Sequence, residues 1–256
     1  HNYYGFYRQA LEENSKGVEM LEVDFTSYYN NSNSYSAKVN SAIRTKNYSS
    51  HRIKTLGGVL SLMQNGDFVR HKMLFLDLEK INNYDFGYIG KLNYNKDKSV
   101  HKIAFKPKDS LSLKTIRKGH IYIETETYAI VEINYSVNEK KMKKVYDSGL
   151  SLNVNDTKKP QFIMFGMNNV IKYRKLENSS KWFLSYILAN NVLKDINKKD
   201  INTKYLLSGK LVISDIEYIK PKKITTNYKT NKDFSKAIKR YDNSKSWVNN
   251  FKISLS

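Results

Sequence analysis

The residues that could do chemistry in this chain are few and scattered. His120, Tyr122 and Glu124 alternate along Gly119-His-Ile-Tyr-Ile-Glu124, so an extended strand would place them on one face. An imidazole and a carboxylate on one face could bind a metal weakly or exchange protons. The solvated polar face of a hairpin accounts for the same pattern and requires nothing more. Glu12-Glu13 reads as a solvated helix face, not as the two facing carboxylates that glycoside hydrolysis needs. The five histidines, His1, His51, His71, His101 and His120, include no HExxH pair. The chain has no GxSxG elbow, Walker-type glycine loop or GxGxxG fingerprint. It has no cysteine, which excludes disulfides, thiolate metal sites and a cysteine nucleophile. No cofactor and no metal is implied, and a hydrolytic site would have to be assembled from residues distant in sequence.

Composition narrows the partners. Lys and Arg total 44 against 24 Asp and Glu, a formal charge of +20 over 256 residues. Such an excess suits nucleic acid, anionic lipid headgroups or acidic polysaccharide. Lysine dominates, however, and the basic residues are spread out, with local clusters at Lys140 to Lys144, Lys198-Lys199 and Lys220 to Lys223. Specific phosphate recognition prefers arginine forks. Ile171-Lys-Tyr-Arg-Lys175 and Ala237-Ile-Lys-Arg-Tyr241 interleave aromatic and basic residues, but the first reads equally well as an alternating strand. A solvated basic surface is favoured over a nucleic-acid site, and binding of an anionic polymer is kept as a third reading.

The elements that must position any site are mostly strands. Tyr3, Phe6, Tyr7, Ala10 and Leu11 have helical spacing and predict an N-terminal amphipathic helix ended by Gly17. Leu21 to Ser27 and Ala37 to Ile43 alternate as two strands around an Asn30–Ser34 turn. Ile53, Leu56, Leu60 and Met63 predict helix, capped by Ser49 or Ser50 and broken at Gly57-Gly58 and Asn65-Gly66. Strands are then expected at Tyr84–Tyr94, Val100–Lys106, His120–Glu124, Tyr128–Val137, Phe162–Met167, Asn169–Lys175, Trp182–Asn190 and Thr203–Tyr218. So many short strands predict an α+β but mainly β fold. It is a large, curled antiparallel sheet, a half-open barrel with a few helices on its concave face. Residues 1–220 read as one β-domain, and 221–256 as a loose basic extension with a short helix at Phe234, Ala237, Ile238 and Tyr241. No apolar run approaches the ~20 residues that span a bilayer. The chain begins at His1, which reads as a trimmed or processed start with any signal peptide or upstream domain falling outside it.

Several short signatures occur in order: Gly5-Phe-Tyr-Arg8, Leu56-Gly-Gly58 followed by Asp67, and His101-Lys-Ile-Ala-Phe-Lys-Pro107. Gly119-His-Ile-Tyr-Ile-Glu124, Tyr128-Ala-Ile-Val131, Tyr173-Arg174 and Lys181-Trp-Phe-Leu184 follow. Together, over about Gly5 to Phe234, they resemble the core region of Bacteroidetes envelope proteins named for a carboxypeptidase-like regulatory domain. That name refers to a small upstream β-sandwich and implies no peptidase. The chain agrees in having no HxxE zinc-ligand pair. The region is similar to LolA-type lipoprotein carriers. The resemblance implies an exported protein of the periplasm or outer-membrane surface, with a lipid, acyl chain or envelope protein as partner. It further implies an apolar groove lined by Phe6, Tyr7, Arg8, Phe105, Ile121 and Ile123. Gln9 stands where an acidic residue commonly follows the arginine, which removes an in-helix carboxylate for Arg8. The leading expectation is a non-enzymatic binding module, and the alternative is a hydrolase of envelope glycan or peptide. Ile121 and Ile123 are expected to face the interior, so a charge at Ile123 should unfold the domain.

Overall fold

The computed structural model describes residues 1–29, 35–46, 58–95, 98–108, 117–137, 139–140, 142–143, 162–177, 179–195, 203–218, 224–225 and 231–239. Its strands are β1 (Asn2–Glu13), β2 (Lys16–Tyr29), β3 (Tyr35–Lys46), β4 (Tyr84–Asn95), β5 (Lys98–Pro107) and β6 (Lys118–Glu124). They continue as β7 (Ile130–Val137), β8 (Phe162–Lys175), β9 (Trp182–Asp195) and β10 (Lys204–Glu217). Helices among the described residues include α1 (Gly58–Gly66), α2 (Phe68–His71) and α3 (Asn231–Lys239), with 3-10 turns at Leu74–Leu76 and Ile81–Asn83.

The ten strands of the described residues form one antiparallel sheet in the order β3-β2-β1-β10-β9-β8-β7-β6-β5-β4. The expected mainly-β fold, a curled, unclosed sheet with a few helices, is therefore what the chain adopts. Two meanders meet where the first strand pairs with the last, β1 with β10. That pairing leaves β3 and β4 as the edges, although they are consecutive in sequence. The chain must pass from one edge to the other, and this crossover carries α1, α2 and the 3-10 turns. Helix α1 lies against β1, β3, β9 and β10, and α3 lies against β3 and α1. The helices thus cover the face at the β3 end.

The N-terminal helix is corrected to strand β1. Tyr3, Tyr7 and Leu11 are four apart, a spacing that fits one helix stripe and also every second residue of a strand. Gly5 and Gln9 settle it, because they are buried on the same side, and Phe6, Arg8 and Ala10 lie on the other. Pairing with both β2 and β10 satisfies the backbone on each side. Gly17 ends no helix. Instead, Asn14 (φ +48°) and Ser15 (φ +65°) make the two-residue turn that links β1 to β2. The segments Phe162–Met167 and Asn169–Lys175 are likewise one strand, β8, with irregular register at Met164/Gly166.

The second and third strands and the later strands other than β8 fall where expected, as do helix at Leu60 and Met63 and the short C-terminal helix. The Asn30–Ser34 turn, the helix start at Ser49, Ser50, Ile53 and Leu56, and most of the C-terminal extension lie outside the described residues.

The core lies between the sheet and the crossover. Tyr3, Leu21, Phe25, Val59, Met63, Phe68, Ile133, Leu211 and Phe234 are each at most 1% exposed. Burying a large apolar side chain contributes about 1.5–3 kcal/mol against the entropy of ordering it. Phe234, Ala237 and Ile238 belong to this same core, so α3 packs with the β-domain. Gly58 admits that helix. Its φ is +70°, and a Cβ there would lie 2.3 Å from the Phe234 ring.

Candidate functional site

The hairpin residues that might have done chemistry keep to one face of β6, opposite Ala104, Lys102 and Val100. His120 and Tyr122 lie on the face away from the helices, their ring centroids 6.5 Å apart. Burial, and then the nearby Lys102, lowers the His120 pKa. Glu124 is used by its own turn. Its carboxylate accepts from Thr127 Oγ1 at 2.5 Å, Thr127 N at 2.7 Å and Glu126 N at 3.2 Å. Those bonds, the Thr127 hydroxyl foremost, hold its pKa below the ordinary glutamate value. Among the described residues no group of three or more His, Asp or Glu side chains is placed to hold a metal ion.

Two polar clusters that the sequence did not announce are structural ties. Asp67 caps α2 and accepts from Tyr35 Oη at 2.9 Å and from Arg70 N at 3.3 Å. Arg70 Nε lies 3.3 Å from the same carboxylate, its Nη2 donates to Tyr3 Oη at 3.0 Å, and its guanidinium stacks 4.0 Å from the Tyr29 ring. Burial, followed by the Asp67 charge, drives the Tyr35 phenol far above its ordinary value, so it stays protonated and donates. The second cluster centres on Glu132, which takes Tyr94 Oη at 2.6 Å, Asn134 Nδ2 at 2.8 Å and Lys172 Nζ at 3.1 Å.

The six residues expected to line a groove divide between the two faces. Phe6 and Arg8 lie on the outer face, where Arg8 Nε donates to Glu22 on β2 at 2.6 Å. The carboxylate missing beside Arg8 in sequence is thus supplied across the sheet. Tyr7 is on the inner face but under α3, 3% exposed, with its hydroxyl donated to Gln9 Oε1 at 2.8 Å. Phe105, Ile121 and Ile123 come together on the inner face of β5 and β6. Phe105 packs 4.4 Å from the Phe75 ring, and Ile121 is 5% exposed. Ile123 is half-buried against the core, so it is less enclosed than expected.

From this trio, of which Phe105 and Ile121 are buried in the core, the apolar side chains continue as a strip toward edge strand β4. Register places Phe86 beside Phe105, and Tyr88 beside Ile103 and then Ile121. Phe86 is 43% exposed and Tyr88 63%, while Ile103 is half-buried. The Tyr88 hydroxyl lies 3.2 Å from His101 Nδ1, a polar pair at the strip's margin. Sequence reasoning missed Phe86, Tyr88 and Ile103. Their alternation was visible, but which strand forms the open edge is decided by the long-range β1–β10 pairing.

No family model matches the chain, and no curated protein does. Among solved structures, a LolA superfamily protein from Nitrosomonas europaea is 8% identical, with a TM-score of 0.26 over 84% of this chain and 87% of that one. A lipovitellin structure described by its lipid–protein interactions is 10% identical, with a TM-score of 0.32 over 90% of this chain and 27% of that one. Both likenesses are weak, so the site is interpreted from its own geometry.

Proposed function

We propose that the chain is a non-enzymatic binding module that holds an apolar ligand, a lipid or acyl chain, along Phe86, Tyr88, Ile103 and Ile123. The observation that carries this reading is the exposure of two aromatic side chains on the inner face, next to the buried Phe105 and Ile121. Apolar side chains lying side by side in this way favour an acyl chain, which gains about 0.8 kcal/mol per buried methylene. The residues beneath α1 and α3 are buried core members, and the exposed apolar side chains lie on the strip. Phe6, Tyr7 and Arg8 take no part, because they lie on the outer face or under α3.

A binding role is also supported by what the candidate catalytic groups do. Glu124 holds its turn, and His120 and Tyr122 point to the other face. The envelope location and the family suggested by the sequence signatures belong to this proposal and rest on those signatures.

Titration with a fluorescent fatty acid tests the reading. Saturable binding to the parent is expected, with loss of about tenfold or more in Ile103→Asp, whose carboxylate would meet the acyl chain. Absence of binding by the parent, or equal binding by the variant, contradicts it. A thermal melt of the variant separates lost binding from lost fold.

A further inference from the structure

We infer that edge strand β4 docks on an anionic lipid bilayer, seating the apolar strip at the membrane surface. The inference rests on the strip reading for its purpose, and its contact extends from the strip residues Phe86 and Tyr88 to Ile89 and Leu92, which the strip does not use. Among the described residues, exposed large apolar side chains concentrate on β4, where Phe86 is 43% exposed, Tyr88 63%, Ile89 58% and Leu92 41%, and just before it, at Leu78 (84%) and Ile81 (38%). All six fall within one short stretch of sequence, whereas the other such residues among those described, Met20, Val69 and Tyr128, are isolated from one another. Single exposed apolar residues are ordinary, but a run of them on one edge marks a contact surface.

The backbone of β4 argues against another strand as the occupant. Register with β5 breaks at Tyr88/Gly90 and again at Asn93/Asn95. Ile89 is the extra residue at the first break and Tyr94 at the second, and Gly90 has φ +152°. Two bulges in a strand of twelve residues disrupt the even row of N–H and C=O groups that strand addition requires. What the edge offers is side chains: Ile89 at the bulge and Leu92 beyond it.

Charge selects the partner. From Tyr84 to Pro107 the sequence has five lysines, Lys91, Lys96, Lys98, Lys102 and Lys106, against two aspartates, Asp85 and Asp97. Lys91 and Lys98 are exposed. An apolar edge flanked by lysines is complementary to a bilayer with anionic headgroups. The aliphatic and aromatic tips enter the acyl boundary while the ammonium groups meet phosphate.

Vesicle flotation of the full chain is the test, with phosphatidylcholine alone and with phosphatidylcholine mixed with phosphatidylglycerol. The chain should float with the mixed vesicles only, and high salt should release it. Ile89→Ser/Leu92→Ser should reduce the floated fraction about tenfold, as should Lys91→Glu/Lys98→Glu, with both variants keeping the parent's melting temperature. No flotation with anionic vesicles, equal flotation with pure phosphatidylcholine, or flotation unchanged in both variants overturns the inference. Failure to float combined with dimerisation that Ile89→Ser/Leu92→Ser abolishes also overturns it, in favour of a contact between copies. Fatty-acid binding from solution distinguishes the two proposals. Ile89→Ser/Leu92→Ser should retain it even where flotation is lost, and Ile103→Asp should lose it while still floating.

Discussion

Tyr94 on edge strand β4 donates a 2.6 Å hydrogen bond to Glu132 on β7, reaching over β5 and β6. Tyr94 is the extra residue at the second β4 bulge, so the irregularity that breaks the edge also turns this side chain toward its partner. The bond fastens the end of a strand that is otherwise largely exposed. Tyr94→Phe should cost about 1–2 kcal/mol in urea unfolding, leaving Glu132 with Asn134 and Lys172. Amide exchange should accelerate in β4 more than in β9, and equal acceleration in both would contradict the tie.

Asp67 and Arg70 hold the crossover to the sheet through Tyr35 and Tyr3. Asp67→Ala should destabilise by about 3 kcal/mol, because it leaves a largely buried guanidinium without its carboxylate. Tyr35→Phe should cost less, about 1–2 kcal/mol, since Arg70 keeps Asp67. Denaturant midpoints for both variants check the order.

Glu124 sets a pH dependence of known sign. Its pKa is lowered in the folded chain by its bonds to Thr127 and Glu126, the Thr127 hydroxyl foremost. Its contribution to stability is therefore full above the unfolded value, about 4.3 for a free glutamate, and is lost as pH falls through the lower folded value. Glu124→Gln should be less stable than the parent at neutral pH and approach it in acid. Parallel curves across that range would contradict the assignment.

Packing predicts a contrast along the hairpin. Ile133 is fully buried, and Ile133→Ala should cost about 2–5 kcal/mol. Ile123 is half-buried, so Ile123→Ala should cost clearly less, and a lysine there can extend toward water instead of unfolding the domain. Chemical denaturation of the three variants measures this directly.

These contrasts mark how far the sequence could be read. The meander from Tyr84 onward was legible because period-two alternation and polar turns agree there at every level. The N-terminal segment was not, because Tyr3, Tyr7 and Leu11 satisfy two periods at once. Pairing with β2 on one side and with the sequence-distant β10 on the other makes it a strand. Phe105, Ile121 and Ile123 were legible as one inward-facing set. Phe86 and Tyr88 were legible only as part of the strand Tyr84–Tyr94, since their exposure depends on β4 being an edge of the sheet. Asp67 was visible as part of a signature, but its partner Tyr35 comes from β3, and the Tyr3 that accepts from Arg70 comes from β1, which no local pattern relates.

The central claim is that an apolar ligand lies on the inner-face strip, and photo-cross-linking with a diazirine fatty acid tests it most directly. Mass spectrometry of the digested adduct should find label in peptides covering Tyr84–Asn95 and Lys98–Pro107, competed by unlabelled fatty acid. Label confined to the outer-face residues of β1 and β2, or no competable label anywhere, would contradict the account.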